Sequence, residues 1–464
     1  MAVQQVTRPD LEHLSTNTVR DSLYAFIWRW HFFAGILIAP FLLIFAITGG
    51  LFLFKPQIES ALYQHVEQVR PAVTSISAEQ QVTAALTAFP DSKIEAYTPP
   101  TQAGRSGLVR LITPSGEKLT VGINPHSGQV LGSINEKQRP MQIIRNLHGK
   151  LLLGLPGEML QELAASWAFI LVLTGIYLWW PRQREHFLTA LFPRPGLSGR
   201  ALWRNWHTIT GVWISGLLIF LIITGLPWSV VSGDLIHRSA GMLGQGMPDT
   251  GVSWDGSGSR TVKSIVEDEW TTEHAHKLAG EGHASTSHAN TPLPLPRVLQ
   301  IAEQLALPAA FEVRMPVNEH GVYSLVTVRN LPEQVAFVHL DQYTGQVIRD
   351  IRWKDFGPLA QAIALGVALH EGRYFGLPNQ LLGLFACLGL ILLVVTGLCM
   401  WWQRRPRGTL AAPTVPKGYR PGPIVISLIV LLSLMIPLWG LSLVVVWLLD
   451  QISQRIFRLK RKAS

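Results

Sequence analysis

Long apolar blocks alternate with long polar ones along the 464 residues. Four apolar runs, Phe32–Phe54, Leu160–Trp180, Ile209–Val231 and Leu381–Trp402, reach the length of about 20 residues that a helix needs to cross the hydrocarbon layer. A fifth, Ile424–Leu449, is interrupted by Pro437 and Gly440 and reads either as one crossing or as a hairpin with short arms. The polar blocks carry their own pattern. The first has a helical period in SAEQQVTAALTAF, then strand-like alternation in GLVRLITP and EKLTVGINP, then the turn HSGQVLG. The second repeats the order with PRVLQIAEQLAL, YSLVTVRN, VAFVHLDQ and YTGQVIR. A helix followed by an antiparallel meander fits both, with Ser-Gly and Thr-Gly supplying tight turns. The expected class is an α-helical membrane protein: four core transmembrane helices in two tandem repeats, a C-terminal hydrophobic hairpin or span, and two small α+β domains outside the membrane.

The repeat is explicit in the membrane blocks. WRWHFFAGILIAPFLLIFAITGG matches WRNWHTITGVWISGLLIFLIITGLPW, pairing His31 with His207, Gly35 with Gly211, Thr48 with Thr224, and Gly49 with Gly225. LHGKLLLGLPGE…TGIYLWW matches LHEGRYFGLPN…TGLCMWW, pairing His148 with His370 and Gly175 with Gly397. The expected layout is an N-terminal segment 1–30, a first span 31–54, a module 55–146, an approach segment and second span 147–180, and a loop 181–206. A third span 207–231 follows, then a module 232–368, an approach segment and fourth span 369–402, a loop 403–422, the hydrophobic segment 423–450 and a basic tail 451–464.

Charge orients this layout. Lys and Arg number 39 against 30 Asp and Glu, a net +9, and the basic residues flank the spans. Arg20 and Arg29 precede the first; Arg182, Arg184, Arg194, Arg200 and Arg204 separate the second from the third; Arg404, Arg405, Arg407, Lys417 and Arg420 follow the fourth. By the positive-inside tendency those sides are cytoplasmic and both modules lie outside. Charge spread along span ends argues against nucleic acid as a partner. The same rule favours the hairpin for the fifth run, which returns RLKRK to the cytoplasm. Cys387 and Cys399 lie on one helix about 18 Å apart along its axis, too far for a disulfide. Residues 241–292 are rich in Gly, Ser, Thr and His, including His274, His276, His283 and His288, and read as a solvated loop.

Four histidines stand at the mouths of spans in repeated context. Spans one and three run outward, so His31 and His207 share the cytoplasmic level; spans two and four run inward, so His148 and His370 share the outer level. Pairing across levels would have to bridge most of a bilayer about 30 Å thick. Two imidazoles from two helices at one level suit one metal or one flat macrocycle. Gly35 and Gly211 lie one turn beyond their histidines on the same face, where a missing side chain admits a ring. Gly49 and Gly225 fall near the outer level, and Gly175 and Gly397 near the inner. Tight helix packing accounts for these glycines as well. Two histidines per site, with no acidic partner in the spans, suit zinc poorly, since it takes three or four protein ligands. They suit a b-type haem, whose axial ligands set its potential. No CxxCH is present, so covalent attachment is out. The expectation is two haem b groups. Arg29, Arg204 and Arg182 inside, and Arg145, Lys150 and Arg373 outside, are candidate propionate partners or, equally, snorkelling interface residues.

The same residues carry a resemblance. WRWHFFAG, LHGKLLLGLPGE…TGIYLWWPR, WHTITGVW…TGLPW and LHEGRYFGLPN…TGLCMWW are similar to the PepSY-associated transmembrane family, and NPHSGQVLG and DQYTGQVIRD resemble its PepSY modules. Within that family the chain resembles the di-haem inner-membrane ferric-siderophore reductases of the ferrioxamine-reductase type. The resemblance implies a multi-pass protein of the bacterial inner membrane with a cytoplasmic N-terminus and periplasmic modules. It implies haem ligation at His31, His148, His207 and His370, and reduction of a ferric siderophore during iron uptake. No GxGxxG follows a strand, so the electron donor, cytoplasmic or from the quinone pool, is a separate molecule. Two other classes are open: a membrane-anchored module that binds a peptide or peptidase, and a metal-ion transporter lined by the histidines.

Overall fold

A computed structural model describes residues 8–181, 188–248, 291–308, 310–317, 321–327, 331–405 and 419–463. The histidines of the Gly/Ser-rich stretch (His274, His276, His283, His288), together with Arg182, Arg184, Arg407 and Lys417, lie outside the described residues. In chain order the described helices are α1 (Arg8–Leu53), α2 (Lys55–Leu62), α3 (Gln64–Glu67), α4 (Ala78–Ala88), α5 (Pro140–Lys150), α6 (Leu155–Trp179) and α7 (Gly199–Gly225), then α8 (Val231–Met242), α9 (Leu295–Gln304), α10 (Pro358–His370), α11 (Leu377–Arg404), α12 (Pro423–Met435) and α13 (Pro437–Ala463). The described strands are β1 (Lys93–Thr98), β2 (Gly107–Ile112), β3 (Lys118–Ile123), β4 (Val130–Asn135), β5 (Phe311–Arg314), β6 (Val322–Thr327), β7 (Ala336–Asp341) and β8 (Val347–Arg352). The chain divides into two compact units: residues 1–53, 145–236 and 377–464, and residues 54–144 and 237–376.

The first unit holds the membrane helices. Ser22–Leu53, Leu155–Trp179, Gly199–Trp228 and Leu377–Arg404 are each long and apolar enough to cross. Neighbours pack in a ring, α1 on α6, α6 on α7, α7 on α11 and α11 on α1, so α1 and α7 face each other across it. One wall of the ring is a core of Ala34, Ile38, Ala39, Leu42, Trp167, Ile170 and Val394 that takes in Ile436 and Trp439. Trp30 stacks on Trp167 with centroids 6.0 Å apart, and Trp167 meets Trp439 edge-on at 5.8 Å. The Trp167 indole N–H donates to Ser442 at 3.2 Å, which ties α13 to α6. The C-terminal apolar run is two helices, because Ile436 leaves helical geometry (φ −127°, ψ 79°) immediately before Pro437.

The second unit departs from the expected pair of separate modules. Its strands form one eight-stranded antiparallel sheet in the order β4-β3-β2-β1-β5-β6-β7-β8. Each half alone would leave an exposed edge strand, and edges left open invite pairing. Here β1 and β5 pair with each other, with Ala96 opposite Arg314 and Tyr97 opposite Val313. One core then serves both halves: Val82, Ala85, Tyr97, Val109, Leu111, Val121 and Ile123 from the first, and Val298, Ala302, Val313, Leu325, Val338 and Leu340 from the second. Helices α4 and α9 pack on this core. Ser77 and Gln80 start α4 with a reciprocal capping box, which satisfies two otherwise unpartnered amides. Polar residues clamp the junction. The Glu312 carboxylate, 2 % exposed, accepts from Arg110 of β2 at 2.7 Å and from Arg314 of β5 at 2.6 Å. Burial raises the Glu312 pKa, and the two guanidiniums outweigh that effect, so the carboxyl titrates below the ordinary carboxylate range.

Candidate functional site

The breaks before two spans decide where the histidines sit. Leu151 and Leu152 take left-handed φ of 48° and 59°, and Gly154 takes 64° immediately before Leu155 and Pro156 open α6. His148 therefore rides on the short helix α5, not on the span itself. His370 is likewise the last residue of α10, in the second unit. His31 and His207 lie within α1 and α7, the two helices that face each other across the ring. Their imidazoles meet with centroids 6.4 Å apart and planes at 90°.

A threonine holds each of three imidazoles in the first unit, those of His31, His148 and His207. His31 Nδ1 lies 2.9 Å from Thr174 Oγ1 on α6, and His148 Nδ1 lies 2.9 Å from Thr48 Oγ1 on α1. His207 Nδ1 lies 3.1 Å from Thr396 Oγ1 on α11 and 3.0 Å from the Leu393 carbonyl oxygen. A carbonyl only accepts, so His207 carries its hydrogen on Nδ1. The other two follow by counting. Thr174 donates its one hydroxyl hydrogen to Ile170 O at 2.7 Å, and Thr48 donates to Ile44 O at 2.5 Å. Each oxygen is then left to accept, and the ring must donate. All three imidazoles are Nδ1–H tautomers that carry their lone pair on Nε2, the arrangement by which outer partners orient a metal-binding histidine.

The next residue in each Thr-Gly pair makes room for the ring. A Cβ at Gly175 would stand 3.3 Å from Cε1 of His31, one at Gly49 3.3 Å from Cε1 of His148, and one at Gly397 3.5 Å from Cε1 of His207. These three glycines border the Cε1 edge of an imidazole. Gly35 and Gly211 differ: a Cβ there would meet a leucine methyl in ordinary contact, at 4.0 and 3.6 Å, so these two do not border an imidazole. Gly225 is the last residue of α7.

The arrangement fits a metal held between two histidines. Imidazoles bonding one metal from opposite sides stand with ring centres about 6 Å apart, since each metal–nitrogen bond is about 2 Å. The 6.4 Å between His31 and His207 meets that requirement. Among the described residues no group of three or more His, Cys, Asp or Glu gathers to hold a bare ion. A two-histidine donor set suits iron already carried in a macrocycle.

The description "PepSY-associated TM region" matches residues 28–404. The chain belongs to this family. The PepSY-associated region begins at Trp28, takes in His31, His148, His207, His370 and every Thr-Gly pair, and ends at Arg404, ahead of α12. No curated protein matches the chain.

The cationic candidates of this PepSY-associated protein are placed variously. Arg29 is exposed with its guanidinium 5.1 Å from the Phe33 ring, and Arg204 is exposed on the first turns of α7. Arg145 is half-buried on α5. Lys150 pairs with Glu158 at 2.7 Å, and Arg373 with Glu371 at 2.7 Å. The spans are also not free of acids, contrary to expectation. Glu162, fully buried on α6, accepts from the Val231 and Ser232 amides at 2.8 Å and from the Ser232 hydroxyl at 2.7 Å. Its carboxylate caps α8, so it is a structural anion and not a metal ligand. A carboxylate inside the apolar run ELAASWAFILVL was the signal for it. The threonines have a signal as well, the repeat of TG in all four spans.

Proposed function

We propose that this membrane protein is a di-haem b-type oxidoreductase of the bacterial inner membrane that passes electrons across the bilayer and reduces a ferric siderophore, releasing iron for uptake. The observation that supports it best is the facing pair His31 and His207, each locked with Nε2 free to ligate. These two would hold one haem on the cytoplasmic side. The tandem repeat supports His148 and His370 as the ligands of a second haem on the periplasmic side. Bound haem would supply one-electron transfer, chemistry that protein side chains do not provide. The chain's own residues do the rest. Thr174, Thr48 and Thr396 hold the imidazoles, and the apolar spans keep water and protons away. The positive-inside pattern sets the N-terminus in the cytoplasm. One electron converts the substrate's Fe(III) to Fe(II), which hard oxygen ligands hold less tightly, so the chelate releases it. The donor, cytoplasmic or from the quinone pool, is a separate molecule.

Purified protein tests the reading. It should be red, with two haems per chain. Once reduced under nitrogen, it should reoxidise when a ferric hydroxamate or catecholate chelate is added, with Fe(II) trapped by ferrozine. A folded, colourless preparation would point to a peptide-binding anchor. Metal uptake into liposomes with no reductant would point to a transporter.

A further inference from the structure

We infer that Thr174, Thr396 and Thr48 are positioning residues that set the reduction potential of the sites their histidines ligate; this rests on the haem reading above. The pattern recurs three times between different helices: α6 to α1, α11 to α7, and α1 to α5. In each case the hydroxyl hydrogen is committed to the carbonyl four residues back: Ile170 at 2.7 Å, Leu392 at 2.7 Å and Ile44 at 2.5 Å. A threonine placed this way is an obligate acceptor toward the ring. It cannot turn to donate without leaving two acceptor oxygens in contact. At two of the three the following glycine completes the device, because a Cβ at Gly175 or Gly49 would stand 3.3 Å from the ring edge and press Nδ1 away from the hydroxyl, whereas at Gly397 the distance is 3.5 Å, an ordinary contact. Thr224 forms the same backbone bond, to Phe220 O at 2.7 Å, as the fourth member of the set in sequence.

The consequence is electronic as well as geometric. A ring that donates from Nδ1–H gains electron density, and Nε2 becomes a stronger donor to the metal. Stronger donation favours the oxidised metal and lowers the potential. Thr→Val keeps the shape and removes the acceptor, so the potential should rise. His207 also donates to Leu393 O, so Thr396→Val removes one of its two acceptors. The change expected in each one-electron equilibrium is several-fold to tenfold toward the reduced form, at most about 59 mV for one electron.

The experiment is a potentiometric titration of the full-length protein in detergent, with haem stoichiometry and low-temperature electron paramagnetic resonance on the same samples. Thr174→Val and Thr396→Val should raise one potential and shift one low-spin signal; Thr48→Val should move the other. The serine variants, which keep the hydroxyl, should restore wild-type values. Potentials unchanged by valine, or moved equally by serine, overturn the inference. Wild-type protein without haem defeats the functional reading itself, so the two failures are distinguishable. A measurement on wild type covers valine variants that do not load. In reduced, diamagnetic protein the Nδ1–H proton resonances of His31, His148 and His207 should exchange slowly with D2O. Exchange as fast as from a solvated imidazole overturns the inference.

Discussion

Gly175→Ala separates two effects that usually run together. In a helix interior the change relieves backbone entropy and by itself stabilises by about 1 kcal/mol. At this position the new Cβ stands 3.3 Å from His31 Cε1, whereas carbon atoms rest at about 3.5–4.0 Å. The ring must retreat by a few tenths of an ångström, away from α6. The His31 Nδ1 bond to Thr174 is already 2.9 Å and lengthens with that retreat, at a cost of about 1 kcal/mol. Net stability is therefore nearly unchanged, within about 0.5 kcal/mol by these opposing terms, while the imidazole moves. The equivalent change at Gly397 meets Cε1 of His207 at 3.5 Å, an ordinary contact, and leaves the ring where it is. Thermal unfolding in detergent should show Gly175→Ala close to the wild-type midpoint and Gly397→Ala at or above it. Visible and electron paramagnetic resonance spectra should be altered only for Gly175→Ala. Identical spectra for the two variants, or an unperturbed Gly175→Ala, would refute the argument that the glycine exists to seat the imidazole.

Three further outcomes follow from the packing. Glu312→Gln should cost about 3 kcal/mol, the low end for breaking a buried ion pair because both guanidiniums are partly solvated, and a double-mutant cycle with Arg110→Met should show coupling. The depressed Glu312 pKa makes this contribution fully present above the unfolded carboxylate value of about 4.3 and lost as pH falls through the lower folded value, so acid titration of the variant should lack that component. Glu162→Leu leaves two buried amides and a hydroxyl without their acceptor and should destabilise by about 3 kcal/mol, with Glu162→Gln recovering part of it; equal melting of Glu162→Leu and wild type would remove the capping role.

Much of the membrane part was legible because apolar length is a strong signal. The first run was placed at Phe32–Phe54 and α1 ends at Leu53. The second was placed from Leu160, yet α6 opens at Leu155, because Pro156 and Glu158 disguise a first helical turn. The strands were visible in their alternation, but their assembly was not. Alternation says which face of a strand is buried and nothing about its neighbour, and the joining pair Tyr97 and Val313 lies far apart in the chain. The histidines stood out as ionisable groups at apolar boundaries. Their threonine partners showed only as the repeated Thr-Gly pair, since a hydroxyl in an apolar helix ordinarily returns to its own backbone and the repeat does not reveal a second bond to another helix. Glu162 is visible as a carboxylate heading an apolar run, but its role is not, because a cap supplied from a different helix carries no local motif.

The pairing of histidines tests the account most directly. Haem content and redox potentials should be measured for His31→Ala, His207→Ala and His148→Ala in the same detergent. The account predicts that His31→Ala and His207→Ala each lose the same haem and keep the other, while His148→Ala loses the one they keep. Loss of a common haem by His31→Ala and His148→Ala, with His207→Ala sparing it, would contradict it.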